Sequence, residues 1–82
     1  MKNIVTVDRE FYQLLGLEIR KARQERRITL KELANLTGFS RPLLDRWELG
    51  VSRVKKEQYE VLCRALNISP KITVHVSLEV FL

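Results

Sequence analysis

The chain has 82 residues, room for one small domain with a modest core, since a chain of this size buries only about 60% of its unfolded surface. Fifteen Lys and Arg against ten Asp and Glu give a net charge of +5, which favours an acidic partner such as nucleic acid or an anionic membrane surface. No apolar run approaches the roughly 18 residues of a spanning helix, the opening MKNIVTVDRE turns charged before a signal-peptide core can form, and a single cysteine makes no internal disulfide, so the chain reads as cytoplasmic, with no membrane partner.

In chain order, Asp8 or Thr6 can cap a first helix running to about Arg26, with Tyr12, Leu15, Ile19 and Ala22 at the spacing of one buried face. Phe11, Leu14 and Leu17 form a stripe partly off that face, which needs a second cover. Thr29-Leu30-Lys31-Glu32 has the form of a capping box, so a short second helix runs to about Leu36 with Leu33, Ala34 and Leu36 inward, and Gly38 ends it. A third helix follows Ser40 and ends before Gly50. A fourth covers about Lys55 to Leu66, with Tyr59, Leu62, Cys63 and Leu66 inward and Asn67 and Pro70 as its stop. Cys63 sits in an apolar-periodic segment and reads as a small core residue.

After Pro70 the period changes. Ile72, Val74, Val76, Leu78, Val80 and Leu82 alternate with more polar neighbours, the pattern of a half-buried strand. A lone strand leaves its N–H and C=O groups unpaired, so its expected partner is its own copy in a second chain, paired antiparallel about a two-fold axis. The resulting apolar sheet face could lie over Phe11, Leu14 and Leu17. The alternative is an intramolecular hairpin with the strand-like Asn3 to Val7. His75 stands alone on the polar face, so no metal site is expected.

The second and third helices, joined by the tight turn Thr37-Gly38-Phe39, have the spacing of a helix-turn-helix over residues 29–49. Leu33, Ala34, Phe39, Leu44 and Trp47 must be apolar or small for the two helices to cross. Arg41, Pro42, Asp45, Arg46 and Leu49 lie away from Leu44 and Trp47, and a helix that shows such side chains outward is suited to a major groove.

At these residues the chain resembles the phage repressor and Cro family, the Xre-type helix-turn-helix regulators. The likeness runs from LGLEIRKARQERRITLKELANLTGFSRPLLDRWELG into YEVLCRALNI, and it joins the Ile-Arg of the first helix, Thr-x-x-Glu-Leu-Ala, the Gly-Phe-Ser turn and Trp-Glu-x-Gly. The resemblance implies a partly buried structural ion pair between Arg23 and Glu48. It implies base readout by Arg41 and Arg46, with Pro42, Leu43 and Asp45 beside them, and phosphate contacts at Thr29, Ser40, Arg53 and Lys56. Lys31 and Lys55 join the phosphate set by proximity. Three positions depart from the family pattern: Leu30 replaces a common Gln, Arg27 a common Gly, and Pro42 removes a polar reader. The strand-like ending is similar to that of HipB-kind antitoxins, which implies a dimer interface at Ile72, Val74, Val76, Leu78 and Val80.

The expected fold is therefore mainly α, a single domain over 1–82. It has a four-helix repressor-like core at 8–68 and a C-terminal β-strand at 71–82 that pairs across a homodimer. The expected function is a sequence-specific regulator of transcription, a homodimeric repressor on a palindromic operator in double-stranded DNA. An antitoxin role, with a toxin as protein partner, or a regulator on a phage or mobile element fits within it. A different class is a protein-interaction module that uses the C-terminal strand without specific DNA binding. No nucleophile and base, phosphate-cradling loop or cofactor motif is present, so no enzyme activity or cofactor is expected.

Overall fold

A computed structural model describes the backbone of residues 2–70 and the side chains from residue 9. Four helices follow one another: α1 (Lys2–Glu25), α2 (Leu30–Thr37), α3 (Arg41–Leu49) and α4 (Lys56–Leu66). No described helix is long and apolar enough to cross a membrane. The expected strand and its interface residues Ile72, Val74, Val76, Leu78 and Val80 lie outside the described residues.

Each short helix carries its own stop and start. Thr29 Oγ1 accepts from the Glu32 N–H at 3.0 Å, while Glu32 Oε1 accepts from the Thr29 N–H at 2.9 Å, a complete capping box. Because the ionised carboxylate accepts that backbone N–H, Glu32 is held below the usual glutamate range. Ser40 Oγ accepts from the Leu43 N–H at the start of α3, and Pro42 sits in the first turn, where its missing N–H leaves no gap in the helix. Arg27, Gly50 and Asn67 take the left-handed conformation just past α1, α3 and α4. In all three, the next residue's N–H reaches back five residues to a helical carbonyl, the hydrogen-bond pattern of a Schellman ending.

The first helix begins earlier than its sequence predicts. Its backbone is helical from Lys2, so Thr6 and Asp8 fall inside α1 rather than capping it. Residues 3–7 spend their backbone bonds within the helix, which corrects the hairpin alternative. The physical reason is cooperativity: extending an existing helix adds a hydrogen bond per residue without repeating the nucleation cost, and this outweighs the modest β-preference of Ile4, Val5 and Val7.

The core lies where α1 and α2 pack against α3 and α4. Tyr12, Leu15, Ile19 and Ala22 of α1, Leu33 of α2, Leu44 and Trp47 of α3, and Tyr59, Leu62, Cys63 and Leu66 of α4 are all buried, as their spacing predicts. Burial pushes the Cys63 thiol up, which keeps it protonated and unreactive. Leu36 is the exception: it is 61% exposed, because an eight-residue helix turns it away from α3 and α4. Val54 is buried although it stands in a charged connection with no periodicity to mark it. The bond from Trp47 Nε1 to the Arg53 carbonyl, 3.2 Å, folds that connection onto α3.

Candidate nucleic-acid interface

The outward helix α3 is positioned from three sides. Phe39 in the turn meets the Trp47 ring edge to face, with centroids 5.0 Å apart, and thereby sets the angle between α2 and α3. The turn itself is braced by Thr37, whose hydroxyl donates to the Leu33 carbonyl at 2.8 Å and accepts from the Phe39 N–H at 3.2 Å. On the other side α3 lies directly on α1. A Cβ added to Gly16 would stand 2.3 Å from the Trp47 carbonyl oxygen and 2.6 Å from that of Glu48, so only glycine permits this approach. Gly50 completes the seam, since a Cβ there would meet the Gln13 backbone at 2.6 Å.

The third brace is ionic. Arg23 Nε donates to Glu48 Oε2 at 2.7 Å and Nη2 donates to Oε1 at 3.0 Å, a two-pronged pair between α1 and α3. The remaining prong, Nη1, donates to the Ile28 carbonyl at 2.8 Å, which also ties down the turn leading to Thr29. The two side chains are 12% and 4% exposed, so the pair implied by resemblance is partly buried as expected. Its hydrogen bonds to Glu48 raise the Arg23 pKa above its ordinary value, against the opposing effect of burial, and the Asp45 carboxylate adds to the rise. The pair joins α1 to α3 and to the turn before α2.

With its inner side fixed, α3 presents Arg41, Pro42, Asp45, Arg46 and Leu49 to solvent as one face. Leu43 is half-buried and packs partly on the core, so it stands less free than its expected role beside a base implies. The expected phosphate residues divide into two groups. Thr29 and Ser40 are the N-caps of α2 and α3, with Lys31 exposed in the first turn of α2. Arg53 and Lys55 belong to the connection beyond the other end of α3 and Lys56 is the first residue of α4, which the Lys55 N–H opens by donating to Gln58 Oε1 at 2.9 Å. Arg53 and Lys55 are exposed and Lys56 is half-buried.

Two structural residues of this site went unread in the sequence. Gly16 left a signal: glycine inside a strong helical pattern costs about 1 kcal/mol against alanine, which points to a close approach. Val54 left none.

Comparisons with known proteins agree with this geometry. The family described as a helix-turn-helix domain matches residues 14–72. Antitoxin PezA of Streptococcus pneumoniae serotype 4 is 34% identical over 56 residues, which are 68% of this chain and 35% of that protein. The chain thus spans about a third of the length of that relative. No solved structure matches.

Proposed function

Because the chain belongs to the helix-turn-helix domain family, we propose that it is a DNA-binding transcription regulator whose α3 enters the major groove of double-stranded DNA. The observation that carries the reading is the outer face of α3, where Arg41, Pro42, Asp45 and Arg46 are exposed on a helix braced by the Arg23–Glu48 pair. An arginine fork can bond guanine O6 and N7 together, and each such contact discriminates by about 1–3 kcal/mol. Thr29, Lys31 and Ser40 serve phosphates at one end of α3, and Arg53, Lys55 and Lys56 at the other.

The regulator acts as a homodimeric repressor on a palindromic operator. Support for a second chain comes from α1, where Leu14 and Leu17 are 63% and 57% exposed. Leu14 shares a helical face with Glu18, Lys21 and Glu25, and these three border a hollow of about 210 Å³ together with Ile68 and Ser69. The chain therefore leaves α4 beside that face. Leu14 lies one turn from Glu18, about 6 Å along the axis, well within reach of residues 71–82. Those residues cover the stripe and pair with their copy across the two-fold axis. Likeness to a protein named an antitoxin supports an antitoxin role with a toxin partner; a regulator of a phage or mobile element is the other setting.

Selection of bound duplexes from a random DNA pool tests the reading. The expected product is an inverted repeat with half-sites about 10 base pairs apart, centre to centre, and guanines at positions lost when Arg41 or Arg46 becomes alanine. No enrichment from folded protein would overturn it in favour of a protein-interaction module. A charged residue at Val76 is expected to abolish the dimer in sedimentation and weaken binding to the full repeat.

A further inference from the structure

The N-terminal half of α1 and the connection from α3 to α4 border a cleft of about 450 Å³, lined by Arg9, Tyr12 and Gln13 on one side and by Gly50, Ser52 and Arg53 on the other. Arg9 and Arg53 both line this cleft, and none of the described residues that line it is acidic. An anion seated in this cleft is attracted by both arginines. The walls are firm. Gly50 stands in van der Waals contact with α1 at Gln13, and the Trp47 indole holds the Arg53 carbonyl.

The position of the cleft selects the anion. Ser40 caps the leading end of α3, whereas the cleft lies at its trailing end, next to Gly50. The nine residues of α3 span about 13 Å at 1.5 Å per residue, close to the ~12 Å width of a major groove. A helix of that length laid across the groove brings its two ends to the two sugar-phosphate backbones. We propose that this cleft is a phosphodiester-binding site, in which Arg9 and Arg53 grip one backbone phosphate at the trailing end of α3, with the Ser52 hydroxyl as a further donor. The proposal rests on the DNA-binding reading above. Arg9 lies before residues 14–72 that the family shares, so this grip belongs to the extended α1 of this chain.

The test compares wild-type protein with Arg9→Ala and Arg9→Lys, on the selected duplex and on a scrambled one, between 50 and 200 mM salt. Arg9→Ala is expected to weaken both duplexes about tenfold, as loss of a charge-assisted hydrogen bond does, and to make the log–log salt slope shallower by about 0.9 per subunit. Arg9→Lys keeps the slope. Arg9 is exposed, so thermal unfolding should stay unchanged, which separates the effect from misfolding. Wild-type affinity and slope in Arg9→Ala would overturn the cleft and leave the DNA reading standing. Failure of the wild-type protein to bind either duplex would overturn that reading itself. Saturable binding of inorganic phosphate below millimolar concentration, lost in Arg9→Ala, would reassign the cleft to a small free anion.

Discussion

The α2–α3 pair and the seam between α1 and α3 keep the same helix in place by different means. The pair is built from short-range chemistry: the Thr29–Glu32 box, the Ser40 cap, the Thr37 brace and the left-handed Gly38. The seam is built from one ion pair and two glycines that meet groups far away in the chain. Short-range contacts are numerous and each contributes little, so losing one frays a helix end. Those of the seam are few and each is hard to replace, so losing one displaces a whole helix.

Arg23→Ala should strike the seam hardest. It leaves the Glu48 carboxylate buried without its two donors, and breaking a buried pair in this way costs about 3–5 kcal/mol. Chemical denaturation of the single and double variants at Arg23 and Glu48 measures it, and a coupling near zero would mean that the pair does not brace α3. Gly16→Ala comes next, with a loss of about 2–3 kcal/mol from forcing α1 off the Trp47 carbonyl, despite the better helix propensity of alanine. A stabilised Gly16→Ala protein would show that α1 and α3 can part at no cost.

Thr29→Ala tests the other region and should cost about 1 kcal/mol, the usual worth of an N-cap. The same box gives the pair a pH dependence. Glu32 is held below its ordinary pKa, so its contribution is present above the usual glutamate value and is lost as pH falls through the lowered value in the folded protein. Glu32→Gln keeps an acceptor for the Thr29 N–H and should lose less stability on acidification than wild type, measured by thermal unfolding from pH 6 to pH 3. The smallest effect is expected at the end of α1, where Arg27 occupies a left-handed position at φ 56°. Arg27→Gly should stabilise the fold by about 0.5–1 kcal/mol, the relief of the side chain's clash less the added freedom of the unfolded chain.

Arg27 also marks a limit of local reading. Its mismatch with the family glycine predicts a frayed or shifted ending, yet the chain holds the same hydrogen-bond pattern as the glycine ending of α3. Arg23 shows why: its Nη1 clamps the Ile28 carbonyl just beyond, so a contact made for the seam also fixes the turn. Leu36, expected inward, is exposed, while Val54, which the sequence leaves unread, is buried, because periodicity reports a face only where a helix is long enough to have a settled one.

The sequence by itself determined where three of the four helices begin, where all four end, which helical side chains other than Leu36 enter the core, and which side of α3 faces outward. Caps, glycines and apolar spacing act within a turn or two, so they are written where they act. Only the tertiary structure decided that Gly16 and Gly50 let α1 lie against α3, that Val54 is buried, and that Arg9 shares a cleft with Arg53. Those contacts join residues far apart in the chain, and such a meeting leaves no periodic trace in either partner.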